Sequence, residues 1–168
     1  MWSSHVKTGA ELTISSISAT ALAKEFGTPA FIMDEADFRE RASAWNTALA
    51  NAFGSNTGTV YYAAKAFICV EVARWIKDLG IGIDVCTGGE LAVALKGGID
   101  PAKIEVHGNN KSVAEIEKAV SVGVGTIVID SLYEIERVAA AATKHGVVQK
   151  VLLRLTPGIE AHTHESIA

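Results

Sequence analysis

What the sequence has little of narrows its class first. There are two cysteines, Cys69 and Cys86, both in apolar segments and without the short Cys/His spacings that hold zinc. Neither a disulfide nor a metal site is expected, and reduced thiols in a reducing compartment fit. Clusters of Lys and Arg are missing as well. With a formal net charge of −4 and an isoelectric point near 5.7, nothing offers the electrostatic footprint of a nucleic-acid binder. No window approaches the length of a membrane span, and MWSSHVKTGAELTISS at the N-terminus has neither the charged nor the apolar region of a signal peptide. The expectation is a cytoplasmic protein with no nucleic-acid or membrane partner.

What is present is the composition of a globular domain, 49% apolar and 20% charged, and from residue 60 onward a repeated pattern. A short β-branched run, a polar or Gly-rich turn and an amphipathic helix follow one another four times. TVYYAAKA leads to VEVARWIKDLG, IGIDVCTGG to ELAVALKGG, KIEVHGNNK to VAEIEKAVSVG, and GTIVIDS to LYEIERVAAAATKHG. A fifth strand, KVLLRLTPG, has no helix after it. Strand centres recur roughly every 22 to 24 residues, a spacing that tight βα units can meet.

Thr87-x-x-Glu90, Ser112-x-x-Glu115 and Ser131-x-x-Glu134 read as capping boxes at the helix starts. Gly80, Gly97, Gly123 and Gly146 stand where left-handed C-caps are wanted. Repeated βα units imply a parallel sheet covered by helices, either a (β/α)8 barrel or an open doubly wound sheet. The dinucleotide fingerprint G-x-G-x-x-G is absent after the first strand, which favours the barrel. Four units and a strand make an incomplete one.

Residues 1–55 read differently: a short helix, a strand over PAFIMD, and a long helix with one buried face of Phe38, Ala42, Trp45 and Leu49. The stretch GSNTG links them to the repeats at 56–168.

In parallel α/β folds the strand C-termini converge on one side, so their polar residues are candidates as a set. They are Lys65, Asp84, His107 with Asn109 and Asn110, Asp130 with Ser131, and Arg154 with Thr156. Lys65 stands out, framed by Tyr61, Tyr62, Ala63, Ala64, Ala66, Phe67 and Ile68 with no polar neighbour in sequence. Such a frame is expected to desolvate the side chain and favour the free amine that carbonyl chemistry needs. Its alternative is an ordinary solvated surface lysine. Asp84 serves either the site or a turn, His107 either a ligand or a loop, and Asp130 a helix N-terminus. Arg154, in a strand expected to be buried, requires an anionic partner, either Asp84 or a ligand. His162-x-His164 after Pro157-Gly158 reads as a solvated loop rather than a metal site.

YYAAKAF, GIDVCTGGELAVALKGG, VHGNNKS and LLRLTPGIEAHTH together resemble segments of the fold-type III pyridoxal 5′-phosphate (PLP) decarboxylases, and the last two are most similar to the branch acting on diaminopimelate. The resemblance implies the N-terminal part of a PLP-binding, alanine racemase-like TIM-type barrel, with an early strand such as PAFIMD feeding a C-terminal β domain. It implies Lys65 as the Schiff-base lysine, Asp84 in the polar network beside the cofactor, Arg154 near the phenolic oxygen, and His107 in the mouth without an assigned role. It also implies a homodimer at full length, with meso-diaminopimelate as substrate and L-lysine and CO2 as products. Ornithine or arginine decarboxylation and cofactor binding without turnover are the alternatives within the fold; a cofactor-free binding domain is the alternative outside it. Thr87 stands where the family usually has Ser, and Phe67 where many members have Asn. The family's ring-stacking histidine, glycine-rich phosphate loop and acid facing the ring nitrogen would lie beyond residue 168, so these residues alone are expected to be inactive.

Overall fold

A computed structural model describes residues 6–55 and 57–158. The chain begins with three two-residue strands, β1 (Val6–Lys7), β2 (Thr13–Ile14) and β3 (Ile17–Ser18), paired antiparallel in that order. Helix α1 (Ala19–Phe26) follows at once, its first turn capped by the Ser18 hydroxyl accepting from the Ala21 amide. Helix α2 (Glu35–Phe53) is capped by Asp34. The strands at residues 6–18 are too short to carry an alternating pattern, and they are absent from the sequence expectation.

One expectation for this segment needs correction. PAFIMD, expected to serve a further β domain, pairs with neither sheet among the described residues, and Phe31 is wholly exposed. On α2, Phe38 and Ala42 pack against the core, but Trp45 is 69% exposed. The face therefore contacts the core through its N-terminal half only.

The rest of the chain is the expected βα series. Strands β4 (Tyr61–Ala63), β5 (Gly82–Val85), β6 (Ile104–Val106), β7 (Thr126–Ile129) and β8 (Val151–Leu153) form one parallel sheet in sequence order. Helices α3 (Val70–Leu79), α4 (Gly88–Lys96), α5 (Val113–Val122) and α6 (Leu132–His145) connect them. A doubly wound sheet reverses its strand order at a switch point; this one runs 4-5-6-7-8 without reversal, as the wall of a barrel does.

Alternation decides the two faces. Ile83, Val85, Ile104, Val106, Ile127 and Ile129 are buried and meet the helices, so Asp84, Glu105, Thr126 and Val128 belong to the opposite face. The ladder pairs Ala63 with Asp84, Asp84 with Glu105, and Glu105 with Thr126. One row of the inner face thus carries two acids side by side.

The caps are more varied than three identical boxes. Ser112 and Glu115 form the full reciprocal box on α5. The Thr87 hydroxyl accepts the Glu90 amide at 3.1 Å, but the Glu90 carboxylate reaches the Cys86 amide, at 2.6 Å. Ser131 makes no side-chain cap bond, and Glu134 reaches the Asp130 amide at 2.9 Å. After α4 the left-handed residue is Gly98 (φ +82°), while Gly97 is right-handed (φ −70°). A Cβ at Gly97 would lie 2.3 Å from the Ala73 Cβ, so packing of α3 on α4 is what requires glycine there.

Candidate active site

The strand ends bring the candidates to one side of the sheet. Strand β4 runs into a single 3-10 turn, Ala64–Ala66, in which Ala64 is buried and Lys65 faces outward. The Tyr62 hydroxyl closes this turn by donating to the Phe67 carbonyl at 2.7 Å. The Tyr62 ring meets Phe38 edge-on at 5.2 Å, and Phe38 lies 5.7 Å from Trp75. The lysine turn is therefore fastened to α2 and α3 through aromatic packing. Burial pushes the Tyr62 phenol further up from its ordinary value. The apolar frame does not bury Lys65: the frame packs beneath the turn, and the lysine is exposed.

Asp84, on β5, has a partner that spacing could not reveal. His107 Nδ1 lies 2.9 Å from Asp84 Oδ1 and 3.7 Å from Glu105 Oε1. The ring donates to Asp84 in the tautomer that carries its proton on Nδ1. Glu105 was not among the expected residues, although an acid between Ile104 and Val106 in a strand breaks the apolar run and signals an inner-face position. Ligand atoms of Asp84, Glu105 and His107 lie within 4.8 Å of one another, close enough to share a cation. The Tyr61 phenol is pushed up by burial and, secondarily, by the Glu105 charge.

Cys86 reports how closely the charged groups gather. Burial raises its thiol first, then the Asp84 and Glu90 carboxylates, while the Lys65 and Lys111 ammonium groups act in the opposite direction. Lys65 follows the strand whose last residue, Ala63, pairs with Asp84, so the two stand at adjacent strand ends.

Arg154 takes a different partner from either one expected. Its Nη1 lies 3.0 Å from Asp130 Oδ1, and its side chain is 54% exposed. The reason is positional: Arg154 follows the edge strand β8, which pairs only with β7 and whose three residues are all exposed. Asp130, read as a helix charge, is the anion that the guanidinium needs.

Beneath these pairs lies a buried one that was also not foreseen. Lys111 Nζ is 3.0 Å from Glu134 Oε2, with side chains 2% and 3% exposed, and it also donates to the Gly108 carbonyl. A hollow of about 470 Å³ between α2 and β4 is lined by Phe38, Tyr61 and Tyr62, but by none of Lys65, Asp84, His107, Asp130 and Arg154. His162 and His164 lie outside the described residues.

The family model described as "Pyridoxal-dependent decarboxylase, pyridoxal binding domain" matches residues 35–168. The chain belongs to the pyridoxal-dependent decarboxylases. Among members of that family, it is 57% identical over 155 residues to the diaminopimelate decarboxylase of Mycobacterium tuberculosis, covering 92% of this chain and 34% of that one. It is 41% identical to the diaminopimelate decarboxylase of Halalkalibacterium halodurans, covering 98% of this chain and 37% of that one. The fold matches the crystal structure of diaminopimelate decarboxylase from M. jannaschii in complex with L-lysine, with a TM-score of 0.83 and 27% identity over 98% of this chain and 39% of that one. It also matches lysine/ornithine decarboxylase from Vibrio vulnificus complexed with putrescine, with a TM-score of 0.67 and 26% identity over 81% of this chain and 35% of that one. The chain spans about a third of the length of the curated relatives it matches. No helix among its described residues is long and apolar enough to cross a membrane.

The donor set of this pyridoxal-binding domain fits an aldehyde cofactor. It offers an exposed amine on a turn held rigid from below, beside a hydrogen-bonded acid–imidazole pair. Lys65 is an amine that could hold the cofactor; Asp84, His107 and Arg154 lie on or just after the following strands of the same sheet, Arg154 at its opposite edge.

Proposed function

We propose that these residues form the cofactor-anchoring part of a decarboxylase that converts meso-diaminopimelate to L-lysine and CO2. The observation that carries this reading is the 57% identity to a diaminopimelate decarboxylase across 92% of the chain. In the same reading the holoenzyme, meaning these residues within a complete barrel loaded with PLP, is a cytoplasmic homodimer. Residues 1–55 then hand the exposed stretch around Phe31 to a second, β-rich domain.

Bound PLP supplies the electron sink that lets the bond from the α-carbon to its carboxylate break. Lys65 would supply the amine that holds the cofactor, and the Tyr62–Phe67 hydrogen bond fixes the backbone turn that carries it. His107 holds Asp84 in one orientation, so that the Asp84 carboxylate would be a fixed acceptor on the strand next to the one that leads into the Lys65 turn. Arg154, neutralised in part by Asp130, presents a cation to an anionic group entering from the opposite side.

Likeness to lysine/ornithine decarboxylase supports a second reading, in which the substrate is a diamine precursor without a second carboxylate. The test is CO2 release by the holoenzyme from meso-diaminopimelate, lysine, ornithine and arginine in parallel. Release from meso-diaminopimelate above all others is expected; release from ornithine or lysine alone would favour the second reading, and release from none would leave a PLP-binding protein without turnover.

A further inference from the structure

We propose that the buried Lys111–Glu134 pair is a positioning device for the cofactor mouth, holding the loop that carries His107 at a set distance from the loop that carries Asp130. This rests on the reading of the mouth as a PLP site. Both side chains are almost fully enclosed, and each grips backbone on a different loop. Lys111 donates to the Gly108 carbonyl, next to His107; Glu134 Oε2 accepts the Asp130 amide at 2.9 Å while also meeting Lys111 at 3.0 Å.

The two pairs of the mouth therefore sit at the two ends of one buried connection. His107 bonds Asp84 on one side, and Asp130 bonds Arg154 on the other. Stability does not explain such a pair, because desolvating two charges offsets most of their attraction, and an apolar replacement of similar size is often neutral. Geometry does explain it. A charged group satisfied by backbone at one end and by its counter-ion at the other has one arrangement, and the loop must follow it. The β6–α5 loop runs close to the end of β5: Gly108 has φ +102°, and a Cβ there would lie 2.9 Å from the Cys86 carbonyl oxygen.

Lys111 and Glu134 are positioning residues: neither is exposed to a cofactor or substrate. The variant that separates positioning from stability is the double substitution Lys111→Met with Glu134→Gln, which removes both charges at similar volume. Its melting temperature is expected to stay near that of the parent holoenzyme. Its affinity for PLP is expected to fall by about tenfold, because the mouth is no longer held in register. Amide hydrogen exchange at His107, whose N–H donates to the Val85 carbonyl at 2.8 Å, should quicken by a similar factor in the cofactor-free protein. Glu134→Gln alone, which keeps an acceptor for the Asp130 amide, gives a second variant for the exchange measurement. Parental exchange at His107 together with parental PLP affinity in a folded double variant would overturn the proposal. If the parent itself binds no PLP, the reading of the site fails, while the exchange rates still decide whether the pair holds the loop.

Discussion

His107 Nδ1 and Asp84 Oδ1 stand 2.9 Å apart across the β5–β6 boundary, and this contact takes up the acid that the sequence pattern offered to Arg154. Arg154 is paired with Asp130 instead. Measured on PLP affinity, Asp84→Asn and His107→Asn are expected to be non-additive by about 0.5–3 kcal/mol, while Asp84→Asn and Arg154→Met add to within about 0.5 kcal/mol. Strong coupling in the second cycle would mean that the two acids share a network after all.

At Gly108, in the mouth, conformation and space both forbid a side chain. Its φ is +102°, and a Cβ there would lie 2.9 Å from the Cys86 carbonyl oxygen. Gly108→Ala should cost about 1–3 kcal/mol of stability and displace His107 from Asp84. Denaturant unfolding checks the first effect. A shift of the His107 ring signal by NMR checks the second, and an unchanged signal would show that the loop absorbs the methyl group.

Much of this was legible in the chain. Every βα unit has a period, a turn and a closing glycine of its own, so local signals sufficed for the sheet, and the four residues Lys65, Asp84, His107 and Arg154 could be assigned to strand ends. Their partners could not be read. Glu105, Lys111 and Glu134 acquire their roles only when strands register and loops stack, and Glu134 looked like half of a capping box because its long-range contacts leave no local trace. Trp45 misled in the opposite way: helical spacing shows which residues share a face, not how far along the helix that face is covered.

Glu115 links acid sensitivity to the same belt of loops. Its carboxyl is held below its ordinary value of 4.5 by accepting from the Ser112 amide, then from the Gly88 amide and the Ser112 hydroxyl. A depressed folded value stabilises the fold above the unfolded one and loses that contribution as pH falls through the folded one. Thermal melts from about pH 6 to about pH 3 should therefore show a steeper fall for the parent than for Glu115→Gln. Parallel curves would indicate that the bonds to Ser112 and Gly88 contribute nothing to the acid limb.

Strands β4 and β8 are the edges of the parallel sheet, and on β8 Leu152 and Leu153 are 47% and 63% exposed. Unpaired apolar edges recruit other chains. Residues 1–168 expressed alone are expected to self-associate in sedimentation and to release no CO2 from meso-diaminopimelate with added PLP, with Leu153→Lys reducing the association. A monodisperse, active preparation would show that the edges are covered and the site complete within these residues.

The central claim is that Lys65 is the cofactor's point of attachment. Borohydride reduction of the PLP-loaded holoenzyme, followed by peptide mapping, tests it most directly. The pyridoxyl group is expected on the peptide containing Lys65, with no label in a Lys65→Ala variant. Label on Lys77, Lys96 or the buried Lys111 in its place would contradict the assignment and the account of the mouth built around it.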